Sequence, residues 1–258
     1  MTIFDSVASL SLPFGRLLPE ADFYFKKSLY ADPSRYAQDR HGGSNLSEFY
    51  GARYGLEMDV VPGRDLGADA SKLRLSPNFL TEPTLFERFR KGEEPARQGE
   101  EARPIDLHAR LGGVSRDGWY GRMRQDAEVQ VGRIGDISAA TGGGLPWAEY
   151  MAELGRSKLC FSPFGSGELC WRDVEAILAG AVLLKPSMDH LRTLPDLYRP
   201  WETYVPLAWD FSDLGEKVRT LLGAQEMREE IAREAYCTAR DFARSTGPVD
   251  AYREMLAS

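Results

Sequence analysis

Arg172 and Glu175 stand three positions apart within Ser157–Pro186 (SKLCFSPFGSGELCWRDVEAILAGAVLLKP), a stretch in which short apolar runs flank a glycine loop. On a helix this spacing projects both side chains from the same side. A guanidinium there can make paired, charge-assisted hydrogen bonds to a diphosphate, and a carboxylate one turn further on can accept both hydroxyls of a ribose. Just before them, Pro163, Gly165 and Gly167 let the chain turn sharply out of a strand expected over Leu159–Ser162. The helix expected over Glu168–Ala179 then starts with unpaired N–H groups aimed at whatever lies above the strand. Ser162, Gly165, Ser166 and Gly167 are the loop contacts such a phosphate would use. Spacing alone also allows a plainer reading, an exposed Arg172–Glu175 ion pair beside a turn. The dinucleotide fingerprint is absent because no third glycine follows at the required spacing, and there is no Walker motif.

Further polar groups fall at neighbouring strand ends. His108 and Arg110 close the strand expected over Ile105–Arg110, at the edge where open parallel sheets bind ligands. A charge at a buried strand end needs a partner, and a phosphate would supply one for Arg110. A lone histidine such as His108 is more often a packed or turn-stabilising residue than a ligand contact. Lys185 ends the strand Ala181–Lys185 and His190 follows Pro186, so both are expected to reach the same ligand. His41, in the loop His41-Gly42-Gly43-Ser44, is the candidate general base, because an unperturbed imidazole titrates near neutrality. Lys26 and Lys27 end an N-terminal strand and either approach the cleft from its other side or guard a sheet edge. Trp119, Tyr120, Trp171, Trp201, Tyr204 and Trp209 can stack on a sugar ring or a base, or fill the core.

The elements that position these groups follow from the pattern. From Ile105 onward strands and helices alternate, the signature of a parallel sheet with crossover helices. Helices are expected over Tyr120–Val131, Trp147–Ser157, from Ser212 and over Ala224–Phe242, with a last strand over Thr203–Leu207 and a final helix over Val249–Leu256 beyond a break at Gly247-Pro248. The first hundred residues carry weaker signals, a strand over Asp22–Lys26 and a helix over Ser47–Tyr54. The charged segment Lys91–Arg103 (KGEEPARQGEEAR) lacks bulky apolar residues and reads as a linker between regions 1–100 and 101–258.

Composition narrows the classes. A chain of 258 residues can bury about three-quarters of its unfolded surface, and 43% hydrophobic with 28% charged residues is an ordinary globular balance. A net charge of −7 argues against a nucleic-acid partner, while the arginines at 110, 116, 122 and 124 leave room for a local anion pocket. Cys160, Cys170 and Cys237 are odd in number and lack CxxC spacing, so neither a disulfide framework nor a zinc site is expected. A reducing, cytoplasmic compartment fits. No Asp-x-Asp motif suggests a metal, and no run of 18 apolar residues or basic leader suggests a transmembrane segment or signal peptide.

Four pieces of the central stretch, Ser157-Lys158-Leu159-Cys160, Ser162-Pro163-Phe164-Gly165-Ser166-Gly167, Arg172-Asp173-Val174-Glu175-Ala176 and Ala179-Gly180-Ala181-Val182, resemble in order and spacing the donor site of exostosin-like and related glycosyltransferases of the GT-B architecture. The resemblance runs from Trp147 to Phe242. It implies an α/β fold with a Rossmann-like C-terminal donor domain over 101–258 and a smaller N-terminal α/β region over 1–100 on the acceptor side. It further implies metal-independent transfer of a hexosyl or related sugar from a nucleotide-sugar donor to a hydroxyl of a glycan, lipid-linked or protein acceptor. Arg172 would neutralise the leaving diphosphate, with no cofactor beyond the donor itself. GT-B enzymes usually carry two halves of comparable size, so the short N-terminal region also fits a non-catalytic nucleotide-sugar-binding or partner-binding module. An oxidoreductase of flavodoxin-like or dinucleotide-binding type is disfavoured by the missing glycine.

Overall fold

The structure, a computed structural model, describes residues 1–95, 103–112 and 117–257. Arg116 and most of the expected linker lie outside the described residues. The N-terminal half contains β1 (Thr2–Asp5), β2 (Phe23–Lys26), β3 (Ser28–Tyr30), β4 (Arg40–His41), α1 (Asn45–Arg53), β5 (Val60–Val61), β6 (Leu73–Leu75) and α2 (Pro83–Lys91). Strands β1, β2 and β6 form a parallel sheet in the order β1-β2-β6. Helix α1 starts two residues earlier than expected because Ser44 and Ser47 cap it reciprocally, each side chain accepting the other's N–H at 3.0 Å.

The C-terminal half contains β7 (Ile105–His108), α3 (Gly118–Gly132), β8 (Ala139–Ala140), α4 (Trp147–Gly155), β9 (Ser157–Phe161), α5 (Trp171–Ala179), β10 (Val182–Pro186), β11 (Leu191–Thr193), β12 (Val205–Leu207), α6 (Leu214–Leu222), α7 (Gln225–Arg244), α8 (Gly247–Asp250) and α9 (Arg253–Ala257). Five strands form a parallel sheet in the order β12-β10-β9-β7-β8. Its central strands, Leu159-Cys160-Phe161 and Val182-Leu183-Leu184, are buried on both faces, as a sheet covered by helices on either side requires. Helix α5 begins at Trp171, three residues later than expected, because the Asp173 carboxylate accepts the Cys170 N–H at 3.1 Å and fixes the first turn there. Gly180, at φ 72°, ends it in the left-handed conformation. Asp213, and not Ser212, precedes α6, its carboxylate accepting the Ala208 N–H.

The two halves interlock through several elements. Helix α2 packs on α5 and α7, α1 packs on α3, and β3 pairs antiparallel with β11. The Tyr50 hydroxyl donates to the Trp209 carbonyl at 2.7 Å, and the Tyr54 hydroxyl to Asp126 at 2.8 Å. Beyond α7 the chain turns at Gly247, and Tyr252 reaches the N-terminal sheet to pack on Phe4 and Phe25. The carboxyl ends of β1 and β2 are tied by a fully buried ion pair, with Lys26 Nζ 2.9 Å from Asp5 Oδ2. Asp5 also accepts the Tyr24 hydroxyl at 2.9 Å and the Val7 N–H at 2.8 Å.

Removing one partner of a buried pair strands the other charge away from water. Lys26→Met is expected to destabilise the protein by about 3–5 kcal/mol. The double variant Asp5→Asn/Lys26→Met should recover part of that loss. Denaturant unfolding of the two variants checks this, and a double variant less stable than the single one would contradict it.

Candidate functional site

Asp173 organises the carboxyl edge of the five-stranded sheet. Its fully buried carboxylate accepts Ser162 Oγ at 2.6 Å, the Tyr198 hydroxyl at 2.7 Å and the Cys170 N–H at 3.1 Å, and Lys185 Nζ lies 3.0 Å away. Ser162 and Lys185, expected to face a phosphate, are instead turned inward and fully buried. The reason is electrostatic, since a carboxylate inside the protein is tolerable only when cations and hydroxyls surround it. This cluster holds the start of α5 over the ends of β9 and β10.

The glycine loop is shaped by a close approach between the halves. Gly165 N–H donates to the Gly167 carbonyl at 3.0 Å. A Cβ built on Gly167 would lie 2.1 Å from the Ala8 carbonyl oxygen, so only glycine lets the loop after β1 pack there. Ser166 is exposed at the tip.

Arg172 crosses from α5 to the end of β7, where Nη2 donates to the Arg110 carbonyl at 2.8 Å. Its Nε–H is buried with no hydrogen-bond partner among the described residues. Glu175 faces the Tyr150 hydroxyl and Trp147 on α4, and burial pushes its carboxyl above the ordinary range. The two residues share one helix but make no ion pair with each other among the described residues, so the exposed-pair reading does not hold. Arg110 does not await a phosphate. Its guanidinium takes Glu153 at 2.6 and 2.8 Å and donates to the Thr141 and Gly143 carbonyls at 2.9 and 3.1 Å, stapling the loop after β8 to α4. His108 is fully buried, packed edge-on to Tyr150 at 5.1 Å, with Nε2 3.1 Å from Glu153 Oε1 but without hydrogen-bond direction. Burial pushes its pKa down to about 4, against the opposing pull of Glu153, so the ring is neutral.

His190, in the turn after β10, packs edge-on to Trp209 at 5.1 Å, and its Nε2 lies 3.7 Å from Glu168 Oε1. Glu168 is fully buried, and neither carboxylate oxygen has a hydrogen-bond partner among the described residues. Sequence reasoning passed over Glu168, whose one signal was its place directly after the glycine loop. His41 is exposed on β4, paired with β5, and its side chain touches none of these groups among the described residues. The structure does not bring it to Arg172. Of the aromatic residues, Trp209 packs against Phe49 and Phe164 and donates Nε1–H to the Ser187 carbonyl at 3.0 Å, and Trp119 stacks on Tyr50. The Tyr204 hydroxyl accepts the Met188 N–H inside the core.

Among the described residues no three His, Cys, Asp or Glu side chains gather as metal ligands, and no helix is long and apolar enough to cross a membrane. No protein-family model matches the chain, and no curated protein does. Solved structures do. An α-glucosyltransferase in complex with UDP-glucose and DNA containing an abasic site superposes over 100% of this chain and 72% of its own, with a TM-score of 0.52 at 9% identity. An α-glucosyltransferase in complex with UDP gives 0.52 at 9% identity over 100% of this chain and 73% of its own. TarM gives 0.51 at 6% identity, over 95% of this chain but 45% of its own length. The fold is GT-B. Its three-stranded and five-stranded sheets are both parallel. The likeness is to this fold at large, with nothing specific to exostosins.

A buried neutral histidine makes stability fall in acid. His108, depressed in the folded chain to about 4 from an ordinary 6.5, contributes stability that is complete above pH 6.5 and is lost as pH falls towards 4. The shift is worth on the order of 3 kcal/mol. Unfolding free energies measured from pH 7 to pH 4 should therefore fall more steeply for the natural chain than for His108→Phe. Parallel pH profiles would contradict the assignment.

Proposed function

We propose that the protein is a glycosyltransferase that moves a hexosyl or related sugar from a nucleotide-sugar donor to a hydroxyl acceptor. The observation that carries the reading is Arg172, whose guanidinium lies with the glycine loop and the start of α5 at the carboxyl edge of a GT-B sheet, with a buried Nε–H that has no hydrogen-bond partner among the described residues. The diphosphate fits that edge because a guanidinium and a helix N-terminus both favour anions. The similar α-glucosyltransferase structures were solved with UDP-glucose and with UDP, which supports a nucleotide at this edge.

The chemistry follows from the placement. The bond between the sugar's anomeric carbon and the diphosphate oxygen breaks, and negative charge gathers on the leaving group. Arg172, Ser166 and the N-terminus of α5 stabilise that charge as it develops. Glu175, raised by burial, accepts the ribose hydroxyls, and the unpaired oxygens of Glu168 accept hydroxyls of the transferred sugar. The acceptor hydroxyl attacks the anomeric carbon and gives its proton to His190, beside Glu168, in preference to the exposed His41. Ser162, Lys185, His108 and Arg110 act one step away, by fixing α5 and the loop after β8. Protein cations supply the neutralisation, so no metal is required. The acceptor is a glycan, lipid-linked or protein hydroxyl, and the net charge of −7 disfavours nucleic acid. We place the protein in the cytoplasm. The three-stranded N-terminal sheet also supports a second reading, a donor-binding module without transfer, which detection of sugar transfer or slow donor hydrolysis would exclude.

Each charge-assisted hydrogen bond lost from Arg172 is worth about 1.5–3 kcal/mol, so Arg172→Ala should lower affinity for UDP and UDP-glucose by roughly ten- to hundredfold. Glu175→Gln should weaken uridine as well as UDP, and EDTA should leave both affinities intact. Calorimetric titration reads all three ligands. Unchanged affinities in both variants would overturn the assignment.

A further inference from the structure

The segments after β1, β3 and β5 enclose a hollow of about 420 Å³ whose walls include Ser11, Leu12, Tyr30, Tyr36, Arg40 and Arg64. Those walls are firmly built. Arg64 N–H donates to the Tyr36 carbonyl at 2.6 Å, and a Cβ built on Gly63 would lie 2.3 Å from the Ala37 carbonyl oxygen, so only glycine closes that side. Arg40, 7% exposed, is held by Glu48 at 3.1 Å and by the Arg35 carbonyl at 2.8 Å. The Arg64 guanidinium makes no ion pair or hydrogen bond with any described residue. Among the described residues no carboxylate lines the hollow, and Asp39, which accepts the Gly63 N–H at 2.8 Å, is exposed outside the lining. Three buried donors beside the hollow also lack acceptors. Arg35 Nε, the Tyr36 hydroxyl and Asn45 Nδ2 have no hydrogen-bond partner among the described residues. Arg35 lies over the Tyr30 ring at 5.5 Å, and Asn45 Oδ1 accepts the Tyr30 hydroxyl at 3.4 Å, so both border the same wall. Buried donors are costly unless something accepts from them.

We propose that this hollow receives the acceptor, and that the acceptor carries a phosphate or carboxylate group that Arg64 holds. The inference rests on the transferase reading above. The chemistry is matched, because such a group only accepts hydrogen bonds, and the unmet atoms around the hollow can all donate them. The position suits an acceptor. Pairing of β3 with β11 sets Tyr30 opposite Leu191, and Ala31 N–H donates to the His190 carbonyl at 3.0 Å, so this wall runs into the turn that carries His190. On the other flank, Ser11 and Leu12 belong to the loop whose Ala8 packs against Gly167, the residue before Glu168. The hollow thus borders both segments that frame Glu168 and His190, where the transfer is placed. Its local positive charge lets a protein with a net charge of −7 attract an anionic substrate.

The test is calorimetric titration of the full chain, saturated with UDP so that the donor edge is filled, with methyl glucoside, methyl glucuronoside and glucose 6-phosphate. The expected result is that a charged sugar binds roughly tenfold or more tighter than the neutral one, the two charged probes telling carboxylate from phosphate. Arg64→Gln should abolish that preference and Arg64→Lys should restore part of it. Both variants should keep the UDP affinity of the natural chain, which also shows that they are folded. Equal affinity for neutral and charged sugars, no sugar binding, or a preference that survives Arg64→Gln overturns the inference while UDP still binds. Failure of the natural chain to bind UDP overturns the transferase reading, and the acceptor role with it.

Discussion

The buried carboxylate of Asp173 sets the geometry on which the site depends. It draws in a hydroxyl from the end of β9, an ammonium from the end of β10, a phenol from the loop before β12 and the backbone at the start of α5. Lys185 supplies the countercharge and the other donors fill the remaining lone pairs, and together they make burial of the charge tolerable. The consequence is rigid. The first turn of α5 has one place to sit, and Arg172, just before Asp173 in that turn, is aimed across the sheet edge before any ligand arrives. Such preorganisation is what electrostatic stabilisation of a developing charge requires.

The N-terminal sheet has three strands, but it does not have to stand alone. Helices α1 and α2 dock on the C-terminal half, β3 pairs with β11, and the end of the chain returns to cover Phe4 and Phe25. Gly167 lets the loop after β1 pack directly on the glycine loop, so the two sheets meet where Glu168 and His190 lie. The buried Asp5–Lys26 pair plays in the small sheet the part that Asp173 plays in the large one, tying adjacent strand ends by charge.

How much of this could be read from sequence depended on range. The run from β9 through the glycine loop to α5 and β10 was legible because apolar residues on both faces, a Pro/Gly turn and a helical period fall within thirty consecutive positions. Strands β1, β8 and β11 were not, since they are two to four residues long and are defined by partners far along the chain. The same limit governs side chains. Arg172 and Glu175 carry their geometry in their spacing. Arg110 and His108 looked like ligand groups because Glu153, which engages one and neighbours the other, lies more than forty positions away on α4. Ser162 and Lys185 were read outward by their places at strand ends, whereas the demand of Asp173 turns them in. Glu168 gave no periodic signal at all, and only the meeting of the two halves shows a buried carboxylate without partners.

The central claim is that a nucleotide sugar lies along the carboxyl edge of the five-stranded sheet with its diphosphate on Arg172. Crystals grown with UDP-glucose test it most directly. The account predicts density for the diphosphate against Arg172 and Ser166, the ribose at Glu175 and the sugar beside Glu168. Density for the nucleotide at any other surface, or none at concentrations that saturate binding in solution, would contradict it.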